Sequence, residues 1–178
     1  MGLTASPLQF ALENPTEAVE ATFFRIQQEQ MADVPILNPA LQVEAVDFQR
    51  WQGHWLGVIV TPWCMNLLMV PASQENWESV GTNKRRFVHF PRGDFAFLGS
   101  ESAELGEYQS CSLFSPMANF PNQTEAVLTA RASLLGLLAP LQPAAPVAAK
   151  GTQTDGEGPS MSRRRFFSLG SLREERGR

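Results

Sequence analysis

Residues 54–71 read HWLGVIVTPWCMNLLMVP, and the fold follows from how this stretch is parsed. Val58, Ile59 and Val60 are β-branched and pack well on a pleated surface, and Pro62 closes the run His54–Thr61. MNLLMV at Met65–Val70 is a second apolar strand, stopped by Pro71. Upstream, LQVEAVDF (Leu41–Phe48) partly alternates, with Leu41, Val43 and Ala45 on one face and Gln42, Glu44 and Val46 on the other. WQG then turns the chain into the quoted stretch. Downstream, RRFVHF and DFAFLG flank PRG as a hairpin, with Phe87 and His89 sharing one face and Phe95 and Phe97 another. YQSCSLF (Tyr108–Phe114) is the sixth predicted strand.

Helical patterns bracket these strands. In ENPTEAVEATFFRIQQEQM, Asn14 is placed to cap, Pro15 suits the first helical position, and Val19, Phe23 and Ile26 recur on one face. In NQTEAVLTARASLLGLLAPL, Asn122 or Thr124 is the predicted cap, and Val127, Ala130, Leu134, Leu137 and Leu138 line one side. QPAAPVAAKGTQTDGEGPS then lacks the apolar bulk to fold alone. The expected fold is therefore α+β: an N-terminal helix, about six mostly antiparallel strands, a C-terminal helix, then a disordered tail. Residues 1–138 form the domain, 139–160 the Pro/Ala/Gly-rich linker and 161–178 a basic tail.

Charge divides the same way. Residues 1–138 hold seven Lys/Arg against fourteen Asp/Glu, whereas 139–178 hold seven against four. An acidic body argues against nucleic acid as the main partner, because phosphate recognition needs a positive surface. No run approaches the roughly 20 apolar residues of a membrane span, and MGLTASPLQF has no signal-peptide pattern. With only Cys64 and Cys111, a disulfide scaffold is not expected, and a reduced cytoplasm is the simplest setting.

Catalytic signatures are missing: no glycine-rich phosphate loop, no G-x-S-x-G elbow and no H-E-x-x-H. The chain reads as a non-enzyme with no cofactor. An alternative is a nickel- or iron-handling protein using Cys64, Cys111, His54 and His89, although none of the paired spacings of zinc sites occurs. Trp51, Trp55 and Trp63 cluster around the strand that carries His54. An aromatic surface beside acids such as Glu44, Asp47 and Asp94 suits a ligand with both basic and apolar parts.

The blocks NPALQVEAVDFQRWQGHWLGVIVTPWCMNLLMVP, FPRGDFAFLG and GEYQSCSLFSPM resemble the signature blocks of HybE-type chaperones for nickel–iron hydrogenase assembly. The likeness covers roughly residues 14–138. It implies a cytoplasmic α+β chaperone that binds the hydrogenase small subunit and its twin-arginine signal peptide, delaying export until cofactor insertion and assembly with the large subunit are complete. It also implies candidate peptide-binding residues: Trp51, His54, Trp55, Trp63 and Asn66 from the first block, Phe95 and Phe97 from the second. Tyr108, Gln109, Ser112, Phe114 and Met117 come from the third. A second alternative is a scaffold that joins the large and small subunits without reading the signal. Some relatives carry a fused rubredoxin, but the paired C-x-x-C motifs for its iron are missing here.

The tail repeats the presumed ligand. Ser162, Arg163, Arg164, Phe166 and Phe167 match the S-R-R-x-F-L/F pattern of a twin-arginine signal, but LGSLREERGR after them has no apolar segment. This reads either as an autoinhibitory pseudo-signal that docks on the domain's own peptide site or as a basic, disordered end that aids solubility or touches a partner.

Overall fold

The computed structural model describes residues 8–140. It contains helix α1 (Thr16–Gln30), strands β1 (Glu44–Trp51), β2 (His54–Val60), β3 (Met65–Val70), β4 (Arg85–Phe90), β5 (Gly93–Ser102) and β6 (Gly106–Phe114), and helix α2 (Gln123–Leu138). The expected α+β order of elements is observed. All five strand pairings are antiparallel, in the spatial order β1-β2-β3-β6-β5-β4. Two three-stranded meanders thus meet through β3 and β6, and the segment 71–84 carries the chain from the sheet centre to its far edge.

The two quoted runs become β2 and β3, whose side chains are buried on both faces apart from the half-buried Trp55 and Asn66. A doubly covered strand needs no alternation, which is why these runs are continuously apolar. On one face Val46, Leu56, Val58, Val60, Met65, Leu67, Met69, Phe90 and Phe97 pack with Ala126, Ala130, Leu134 and Leu137 of α2. On the other, Val43, Phe48, Ile59, Leu68, Val70 and Tyr108 pack with Val19 and Phe23 of α1. The sheet curls towards α2: Trp51 on one edge strand stacks on Phe90 of the other, with ring centroids 4.5 Å apart.

Several local expectations are corrected. The first strand runs Glu44–Trp51 rather than Leu41–Phe48. Its alternation is broken by a bulge between Val46 and Gln49, where Asp47 has φ 50°. One extra residue reverses the parity, so Val46 faces α2 and Phe48 faces α1. Phe48 then lies over Gly57, where a Cβ would collide with its ring. The β1–β2 hairpin closes through Gln52 and Gly53, both at positive φ (48° and 86°), as two-residue turns between twisted strands require. Pro15, not Asn14, is the N-cap of α1, while Asn14 Oδ1 accepts from the Thr16 amide at 3.1 Å. Asn122 does cap α2, accepting from the Glu125 amide at 2.9 Å. Ala126 is buried on that helix and Val127 is only half-buried.

Candidate functional site

Helix α1 crosses its sheet face from β1 to the β5–β6 turn, where Arg25 meets Glu104, and among the described residues no helix covers the other halves of β6 and β5 or any of β4 on that face. A groove of about 540 Å³ opens there, lined by Asn66, Arg85, Ala96, Leu98, Ser110 and Ser112, with Cys64 and Cys111 also bordering it. Register explains the group. Asn66 pairs with Ser112, Leu98 with both Ser110 and Arg85, and Ala96 with Phe87, so these side chains project on the same face. Small residues on adjacent strands leave a depression where larger ones would fill it.

Two features set its chemistry. Asn66 Oδ1 is buried yet has no hydrogen-bond partner among the described residues. Buried polar atoms are nearly always paired, and an orphan costs about 1–3 kcal/mol. Arg85 is exposed and joins no ion pair among the described residues. Farther along β4, Phe87 is 74% exposed, and His89 Nδ1 lies 2.7 Å from Asp94 Oδ1.

The thiols bordering the groove are not activated. Burial pushes Cys64 above the ordinary thiol value, opposed by its hydrogen bond with Thr61, and burial likewise raises Cys111. Thr61 Oγ1 is 3.4 Å from Cys64 Sγ and 2.8 Å from Cys64 O, which ties this thiol into the β2–β3 turn. Among the described residues no three His, Cys, Asp or Glu side chains gather as metal ligands. His54 is buried with its Nδ1 3.4 Å from the Ala72 amide, whereas His89 is exposed at the other end of the sheet.

The sequence candidates divide into three groups. Asn66 and Ser112 line the groove, and Asp94 lies beyond it beside His89. Phe97, Gln109, Tyr108 and Met117 are buried, and burial raises the Tyr108 phenol. Gln109 bridges Arg86 Nε (2.7 Å) and Glu78 O (2.7 Å), holding the 71–84 segment to the sheet. The remainder do not converge on one surface. Trp51 stacks on Phe90, while Trp55 donates from Nε1 to Ala11 O at 2.8 Å under the Arg50 guanidinium. Trp63 packs in the α1-side cluster, and Phe95 packs at the α2-side cluster beside a smaller apolar slot of about 230 Å³. Phe114, 41% exposed, meets Phe120 edge-on. Glu44 accepts from Gln123 Nε2 at 2.8 Å and Asp47 pairs with Arg131, both on the β1 side of the molecule. Arg85, Phe87 and Ala96 were missed; the signal available was that Phe87 alternates with the core residues Val88 and Phe90. Ser162, Arg163, Arg164, Phe166 and Phe167 lie outside the described residues.

Residues 14–169 match the family model described as "[NiFe]-hydrogenase assembly, chaperone, HybE". The chain belongs to that family. It is 37% identical over 161 residues to the hydrogenase expression/formation protein HupJ of Bradyrhizobium diazoefficiens, covering 90% of each chain. It is also 37% identical over 129 residues to the probable rubredoxin HupJ of Rhodobacter capsulatus, and this match takes in 72% of the chain but 46% of that longer relative. The fold matches the solution structure of HybE from Escherichia coli with a TM-score of 0.61 at 25% identity, covering 85% of this chain and 94% of that one. This HybE-family chain is therefore a hydrogenase assembly chaperone by kinship and by fold.

Proposed function

We propose that the domain binds the small subunit of a nickel–iron hydrogenase through its twin-arginine signal peptide, and so delays export until cofactor insertion and subunit assembly are complete. The observation that carries this reading is the part of the β6, β5 and β4 face that no helix covers among the described residues, where small side chains leave a groove and an exposed Phe87 stands beside the His89–Asp94 pair: a segment with basic and aromatic side chains suits such a surface. The work is non-catalytic and cytoplasmic. Ion pairs at an exposed surface contribute only about 0–1 kcal/mol each, so burial of the signal's aromatic and aliphatic residues carries most of the affinity.

Calorimetric titration of the protein with a synthetic twin-arginine signal peptide tests the reading. Saturable binding that weakens when both arginines become lysine supports it, because guanidinium forks and stacks in ways an ammonium does not. Absence of binding overturns it. Binding of a small subunit that lacks its signal, equal to that of the intact subunit, favours a scaffold for the two subunits instead. Residues 161–178 are proposed as a pseudo-signal on a linker spanning 139–160. Deleting 159–178 then raises affinity for the external peptide, and unchanged affinity overturns autoinhibition.

A further inference from the structure

The two edges of the sheet are treated differently by the chain. Edge β1 is bulged at Asp47, its Phe48 carbonyl accepts from Asn14 Nδ2 at 3.2 Å, and its Ala45 amide donates to Glu20 Oε1 at 2.9 Å. Such stitching removes the unpaired row of groups that would otherwise template another strand. Edge β4 has none of it: among the described residues no side chain bonds a backbone group of Arg85–Phe90, and β5 is its sole strand neighbour. Phe87, at the middle of this edge, is 74% exposed, and Ala96 opposite it on β5 leaves its ring uncovered. Arg86 offers little guard, since it is turned to the other face towards Gln109 and Glu78.

We infer that β4 accepts a segment of the partner as a seventh, antiparallel strand, in which an arginine faces His89–Asp94 and an aromatic two residues later faces Phe87. This rests on the peptide-binding reading above and assigns its place and register. Main-chain hydrogen bonds to an open edge supply affinity, and alternate side chains supply specificity. The side-chain order on β4 dictates the rest. Phe87 and His89 are two residues apart and share the groove face, and Asp94 pairs with His89 across β4 and β5. Side chains facing them from an antiparallel strand must also be two apart, with the residue facing His89 first in sequence. The acid selects a base at that position, and the bare ring selects an aromatic at the next.

The chemistry required is thus Arg-x-Phe in an extended strand. In the S-R-R-x-F pattern it is the second arginine, not the first, that stands two before the aromatic. The next position on the same face meets Arg85, which joins no ion pair among the described residues and disfavours a base there. In the chain's own SRRRFFS the residue at that spacing is Ser168.

The test is amide hydrogen exchange of the full chain with and without a synthetic S-R-R-x-F-L peptide, read together with affinity for two variants. Added protection is expected at Arg85–Phe90 and none at Glu44–Trp51. Phe87→Ser and Asp94→Lys should each weaken binding about tenfold, as loss of one aromatic or one charge-assisted contact does. Both positions are exposed, so the variants should keep native tryptophan fluorescence. Changing the peptide's second arginine to glutamate should restore binding to Asp94→Lys, whereas changing the first should not. Peptide binding without β4 protection, or rescue by the first position, overturns the assignment and leaves the peptide reading standing. No peptide binding overturns both.

Discussion

The β1 end and the β4 end of the sheet are built from similar short antiparallel strands, yet one is closed and the other open. At the β1 end α1 covers one face and α2 the other, and a ring from the bulged edge fills the space over Gly57. At the β4 end no helix covers the α1-side face among the described residues, and a groove with small side chains and an exposed Phe at the rim is left there. The difference teaches where stability and recognition are invested. Both ends are anchored on the α2 side, and only the α1-side face of the β4 end is left for recognition.

The comparison breaks most severely at Phe90, the point where the open end is anchored. Phe90 is fully buried between Trp51, Phe95 and Phe97, so Phe90→Ala should cost about 4 kcal/mol in urea unfolding. Next is the closed end: Gly57→Ala forces Phe48 from its seat and should cost about 2 kcal/mol by the same measurement. Removing one stitch, Glu20→Ala, leaves the Ala45 amide without its acceptor and should cost about 1 kcal/mol. Smallest is Phe87→Ser, expected to change stability by less than about 0.5 kcal/mol because the ring is already in solvent.

Titration sharpens the same contrast. Burial lowers the His54 imidazole below its ordinary value, whereas the unfolded chain takes up that proton near pH 6.5. Stability from this residue is therefore present above about pH 6.5 and is lost as pH falls below it. Unfolding free energies of His54→Gln, measured between pH 5 and 7.5, should show a shallower slope than the wild type. Glu104 runs lower in the scale: the Arg25 hydrogen bond holds its carboxyl down to about 2. Its contribution is present above the ordinary carboxylate range and fades as pH falls from there towards 2.

The strands of this fold were legible because Pro and Gly punctuate apolar runs of strand length. Pro62 and Pro71 bound β2 and β3 closely, and both α2 and its Asn122 cap follow from periodicity. The first strand was misplaced because Leu41 and Val43 alternate and are buried although they precede β1. A bulge leaves no mark in a hydrophobic pattern, so the opposed faces of Val46 and Phe48 were unreadable. The site was less legible still. Trp51 and Trp55 are close in sequence, but Trp51 pairs with His54 and Trp55 with Arg50, which sends their rings to opposite faces. The groove is defined by Ala96, Ser110 and Ser112, small residues whose importance lies in the volume they leave empty. Only strand order brings them together.

One contact bears on the order in which the molecule is assembled. Arg25 on α1 grips Glu104 in the β5–β6 turn through two bonds of 2.8 Å, across 79 residues of chain. During synthesis α1 leaves the ribosome first, yet its clasp is made among the last residues of the sheet. Closing so long a loop gains nothing until β6 is in place. The helix that comes first in sequence can thus settle early on Val43, Phe48 and Ile59, but is locked only when the β5–β6 turn brings Glu104 to Arg25.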